Sequence, residues 1–137
     1  MVSLTRTVRF TATHRLYRPD WTAERNRKEF GPVADYHTHD YGCRVTITGP
    51  MDPVSGMVMD LAQLDRILQD EVVTRLNRVR INEDTPPFNT GRPLPTCEAL
   101  AVELSGHVRR RLPEGVRLVA LRVAEDDTLH ADWTEEA

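Results

Sequence analysis

Cysteine is scarce in this chain: only Cys43 and Cys97 among 137 residues. They lie far apart, one in a strand-like run and one in a helix-like run, so they form neither a C-x-x-C motif nor a disulfide framework. Both read as small buried residues. Long apolar runs are missing too. None approaches the ~20 residues needed to cross a bilayer, which argues against an integral membrane protein. The opening "MVSLTRTVRF" has no continuous apolar segment and no small-residue cleavage site, so the cytoplasm is the default location. Basic charge is not in excess: 18 Lys and Arg stand against 21 Asp and Glu, a net charge of −3. The basic footprint that grips phosphate backbones is absent, and nucleic acid is not an expected partner. There is no internal repeat and no low-complexity segment. What remains is a chain of single-domain size, with 39% hydrophobic and 28% charged residues, read as one domain over 1–137.

Periodicity supplies the elements. From Leu4, the residues Leu4, Arg6, Val8, Phe10, Ala12 and His14 alternate with threonines and Arg9, which predicts a strand that carries His14 on its mostly apolar face. Residues 17–36, "YRPDWTAERNRKEFGPVADY", follow neither period and are expected to form a long loop. His37, His39, Tyr41, Cys43, Val45 and Ile47 then share one face of a second strand, closed by the turn-forming "TGPMDPVSG". Leu61, Leu64, Leu68, Val72 and Leu76 recur at helical spacing, with Asp60 as N-cap candidate. A second helix starts at "PTCEAL", capped by Thr96, with Glu98 in its first turn near the positive end of the dipole. His107 sits beside Arg109 and Arg110 on that helix's polar face. "VRLVALRVAE" and "LHADW" read as a closing hairpin around "DDT". The order β-β-α-α-β-β predicts an α+β domain, a four-stranded antiparallel sheet with two helices on one face. A second, partly apolar sheet face is expected to drive oligomerisation.

The chemistry concentrates in "HTHDY". On a strand, His37 and His39 point the same way with Cα atoms about 6.8 Å apart, a span that two imidazoles can close onto one ion. His14 lies on the neighbouring strand's inner face. Three neutral imidazoles with an open fourth position suit a catalytic zinc. Spacing alone leaves a pair of satisfied or exposed histidines equally open.

"RFTATHRL" resembles the F-x-A-x-H-R-L opening of the 6-pyruvoyltetrahydropterin synthase and 6-carboxytetrahydropterin synthase family. "HTHDY" resembles its H-G-H-x-Y, and "DPVSGMVMDLAQL" its G-M-V-x-D-F-x-x-L. "PTCEAL" and "LRVAED" resemble its P-T-x-E and its strand ending in Glu. The resemblance implies a tunnelling fold, in which such subunits form a trimeric barrel, commonly stacked as a hexamer. It also implies Zn²⁺ held by His14, His37 and His39, and lyase chemistry on a pterin-like small molecule. Glu125 matches the family glutamate that pairs with the guanidine-like edge of a pterin, which a carboxylate suits because it accepts two parallel N–H bonds. Thr96 and Glu98 match substrate-side positions, although helix capping and the helix dipole suffice to explain them.

The resemblance breaks at the family's proton-transfer residues. Val33 stands at the cysteine base, and Asn77 and Arg78 at the Asp-His pair. Valine carries no proton, an amide has no useful pKa, and a guanidinium is effectively always charged. The candidates for a replacement acid or base are Glu29 and Asp35 in the long loop, since some family members carry a glutamate in place of the cysteine, together with Asp126 and, after "EDDT", His130. Two readings stay open. One is a zinc lyase or isomerase with a changed base. The other is a noncatalytic zinc-containing homologue that binds a pterin-like ligand or a partner protein.

Overall fold

The computed structural model describes residues 1–136. In chain order the elements are β1 (Ser3–His14), α1 (Ala23–Phe30), β2 (His37–Thr48), α2 (Leu61–Leu68), α3 (Thr74–Leu76), α4 (Ile81–Asp84), α5 (Cys97–Arg111), β3 (Arg117–Ala124) and β4 (His130–Thr134). The four strands form one sheet in the order β1-β2-β3-β4, each pair antiparallel. The α+β architecture expected from the sequence is present.

Alternation along β1 and β2 sorts the residues as expected. Phe10 and Ala12 of β1 and Tyr41, Cys43, Val45 and Ile47 of β2 are buried beneath the helices. Each fully buried large side chain contributes roughly 1.5–3 kcal/mol of hydrophobic stabilisation. Leu64, Ile67, Leu68, Val72 and Leu76 supply the helical side of this core, joined by Leu100, Leu104 and Val108 of α5. Arg6 falls on the same face of β1 but reaches past its edge to hold Asp65 of α2 with two bonds of 2.8 and 2.9 Å. Burial pushes the two thiols up, Cys43 to about 12 and Cys97 to about 11, as suits packed rather than reactive cysteines.

Three expectations are corrected. Residues 17–36 are not a bare loop, because α1 and a 3₁₀ turn (Gly31–Ala34) lie within them. Helix α1 shows no apolar stripe, since its one buried residue is Asn26. That amide accepts from the Arg18 N–H and donates to the Arg18 and Thr22 carbonyls, while Thr22 caps the helix. Asp60 is not a side-chain cap. Its backbone carbonyl accepts the Leu64 N–H instead. The uncovered sheet face is polar, not apolar. Thr5 bonds Thr46, Thr11 bonds Asp40, Thr13 bonds Thr38, and Arg122 grips Asp132, each across a strand pair. Such cross-strand pairs stabilise the sheet, so association cannot be argued from an apolar outer face.

The helix predicted over 61–76 is continuous but not uniformly α. Gln69–Val73 form a π turn between α2 and α3. That turn places Asp70 and Glu71 against α5, where Arg111 meets both. His107 of α5 is held there as well, by Glu103 at 2.8 Å, rather than standing free in solvent. Chain 77–80 then runs along the outer edge of β1. The Asn77 side-chain oxygen accepts the Thr11 N–H at 2.9 Å, and the Arg78 N–H donates to the Thr11 carbonyl at 2.6 Å. Arg78 holds a φ of 63°, in the left-handed region that a non-glycine residue rarely adopts.

Candidate metal centre and active site

The antiparallel register of β1 and β2 pairs His14 with His37 and Ala12 with His39, so three imidazoles meet at one end of the sheet. Their ring centroids lie 4.5, 4.9 and 5.2 Å apart. His14 Nδ1 lies 2.7 Å from the Pro95 carbonyl, and His37 Nδ1 lies 2.8 Å from the Asp35 carbonyl. A carbonyl only accepts, so both Nδ1 atoms carry a proton, and in the neutral ring this leaves Nε2 as the lone pair turned to the centre. Backbone carbonyls that orient metal-binding histidines in this way are a usual outer support of such centres.

Glu125, just beyond β3, completes the group. One ligand atom from each of His14, His37, His39 and Glu125 falls within 4.8 Å of the others. His14 is 4% exposed, and its pKa is pushed down to about 4, chiefly by burial, with the Pro95 carbonyl opposing the shift. It is therefore neutral near pH 7, the form in which imidazole binds a metal. His14 Nε2 and His39 Nε2 are buried and make no hydrogen bond. Buried polar nitrogens without a partner beside a carboxylate are costly, and a cation between them would satisfy both. Imidazole nitrogens with one carboxylate oxygen and no thiolate fit a borderline dication of the transition series.

A hollow of about 790 Å³ lies on the polar sheet face, opposite the face that carries the histidine side chains, and of the four converging residues only His39 and Glu125 reach it. His39, Glu125, Asp126 and His130 line it, together with Arg9 and Arg122. Beneath the histidines lies Tyr41, fully buried, with its ring 5.5 Å from His39 and 5.9 Å from His14. Its hydroxyl has no partner, and burial drives its pKa above the usual phenol value. Sequence reasoning placed Tyr41 on the histidine face but did not single it out; the unbonded hydroxyl is visible only in the fold.

A sequence profile described as 6-pyruvoyl tetrahydropterin synthase matches residues 3–136. The chain belongs to that family. It is 34% identical to human 6-pyruvoyl tetrahydrobiopterin synthase over 126 residues, covering 90% of this chain and 85% of the human one. The solved structure of the Caenorhabditis elegans 6-pyruvoyl tetrahydropterin synthase superposes with a TM-score of 0.87 at 24% identity, over 98% of this chain and 96% of that one. A Plasmodium vivax family structure, in which a glutamate described as a catalytic residue is replaced by cysteine, superposes at 0.65 and 12% identity over both whole chains. The fold is thus that of the 6-pyruvoyl tetrahydropterin synthases, one four-stranded sheet with its helices on one side.

Within this family member the candidate residues separate. His14, His37, His39 and Glu125 converge. Thr96 is occupied by capping α5, its hydroxyl accepting from the Ala99 N–H, and the adjacent Pro95 carbonyl orients His14. Glu98 is exposed and borders a different hollow, of about 580 Å³, shared with Trp133. Glu29 is exposed on α1, and the Asp35 carboxylate faces Arg27 at 3.7 Å while its carbonyl serves His37. Neither carboxylate lines the hollow on the polar sheet face; His130, exposed at the start of β4, does, together with His39 and Glu125. Val33 sits in the 3₁₀ turn, where its carbonyl accepts the Leu16 N–H.

Proposed function

We propose that this chain is a zinc-dependent enzyme of the 6-pyruvoyltetrahydropterin synthase type, a lyase or isomerase acting on a pterin-like or other polyhydroxylated or carbonyl compound with a replaced general base. The observation that carries this reading is the convergence of two oriented Nε2 lone pairs with His39 and a carboxylate. His14, His37 and His39 would hold the ion, and when bound it would polarise substrate oxygens and acidify the adjacent carbon. Glu125 would accept two parallel N–H bonds from an amidine or guanidine edge. Proton transfer would fall to Glu29, Asp35 or His130. Within one chain, placement on the hollow favours His130, whereas the carboxylate used by the Plasmodium vivax relative favours the acidic pair.

Calorimetry with a pterin and a matched ring lacking the amino group tests the recognition half. A charge-assisted pair should make the pterin bind about 30–150-fold more tightly, equivalent to roughly 2–3 kcal/mol. Equal affinity for both rings would remove pterin recognition from the account.

A second reading, a noncatalytic zinc-containing homologue that binds a pterin-like ligand or a partner protein, is favoured by Val33, Asn77 and Arg78 standing at the family's proton-transfer positions. We place either form in the cytoplasm as a homotrimer or homohexamer. Support for assembly comes from β1, whose N-terminal half has no strand on its outer side among the described residues, an edge that proteins usually cover. Sedimentation at micromolar concentration should show the oligomer; a stable monomer would contradict it.

A further inference from the structure

The geometry points to Glu125 as a fourth protein ligand of the resting metal centre, closing the coordination position that a substrate oxygen would otherwise find open. This inference rests on the metal reading above and goes beyond it, since there Glu125 serves only the organic ligand.

Charge gives the first reason. The Glu125 side chain is 15% exposed, and its only basic neighbours within 4.0 Å, among the described residues, are His39 Nε2 at 2.7 Å and His14 Nε2 at 3.9 Å. Glu71 shows what a carboxylate of similar burial otherwise has in this protein. It is 12% exposed and meets Arg111 at 2.8 Å and Arg75 at 3.0 Å. Glu125 has no such arginine. A carboxylate withdrawn from water needs a compensating positive charge.

Geometry gives the second. Glu125 Oε2 approaches His39 Nε2 to 2.7 Å without hydrogen-bond alignment, so the two atoms face a common point instead of each other. Ligand atoms about 2.0–2.1 Å from a tetrahedral zinc are separated from one another by about 3.3–3.4 Å. The observed 2.7 and 3.9 Å lie on either side of that separation. A small displacement of the carboxylate would complete the tetrahedron, and the buried His14 and His39 nitrogens that now lack partners would gain one. With Glu125 in that position, the carboxylate would be shared between the ion and the amidine edge it is proposed to bind.

Cobalt(II) substitution of the full-length protein reads this directly. Azide serves as the probe for an open position, and Glu125→Ala is compared with the isosteric Glu125→Gln. In the wild type, azide should leave the visible cobalt bands unchanged at concentrations that shift them in Glu125→Ala. Outer-shell partners already contribute about 10–100-fold to metal affinity, so both variants should bind cobalt at least about tenfold more weakly. The Gln variant keeps the comparison valid should the Ala protein misfold, because it preserves shape while removing the charge. Equal azide response and equal cobalt affinity in wild type and variants would overturn the ligand role while leaving the three-histidine centre intact. Failure of the wild type to take up cobalt would remove both.

Discussion

A His37→Ala, His39→Ala double variant should lose its zinc. Two of the three nitrogens facing the centre disappear, leaving His14 and Glu125, and neither cysteine can substitute because Cys43 is buried under the helices and Cys97 lies outside the ligand group. Removing even an indirect support of a metal costs about 10–100-fold in affinity, so removing two direct ligands should weaken binding by well over ~10²-fold. Elemental analysis after dialysis should then find almost no metal. The sheet should survive, since His37 and His39 stand at the polar end of β2 and the strand's buried anchors are Tyr41, Cys43, Val45 and Ile47. Full metal content in the double variant would place any zinc elsewhere in the chain.

The second large effect is an absence. Dihydroneopterin triphosphate should be converted at negligible rate if, as the sequence resemblance implies, Val33, Asn77 and Arg78 stand where the family moves protons. Acid–base catalysis supplies about 10²–10⁴-fold per group, and groups that act as a unit fail together. Asn77 and Arg78 are moreover engaged in holding the edge of β1, through the Asn77 oxygen and the Arg78 N–H. On a substrate the protein does accept, the pH–rate limb of the true base should vanish in one of Glu29→Gln, Asp35→Asn or His130→Asn. Ordinary turnover of dihydroneopterin triphosphate by the wild type would show that the base had been misplaced.

The sheet was legible because period-two alternation is a direct consequence of burying one face of a strand, and the run from Leu4 to His14 keeps it without a break. His14 could therefore be set beside His37 and His39 before the register was known. Helix α1 was not legible, because the anchor that makes it helical is a buried amide, Asn26, and periodicity arguments count only apolar residues. The π turn at Gln69–Val73 was hidden for a related reason: one wider turn scarcely disturbs the spacing of Leu68, Val72 and Leu76. The polar outer face, by contrast, was written plainly in Thr5, Thr7, Arg9 and Thr11. Expecting apolar residues there was an error of inference, not a missing signal. The outward placement of Glu29 and Asp35 depends on the path of the 3₁₀ turn before β2, which spacing does not encode. The bare Tyr41 hydroxyl and the missing arginine at Glu125 are properties of three-dimensional neighbourhoods and have no local sequence signature.

On the proposed function, one zinc ion sits among His14, His37 and His39. Anomalous diffraction collected on either side of the zinc edge, from crystals grown without added metal, tests it most directly. The account predicts a single strong peak per chain, about 2.0–2.1 Å from the Nε2 atoms of all three histidines. Ordered imidazoles with no anomalous peak between them, or a peak only at another place on the chain, would contradict it.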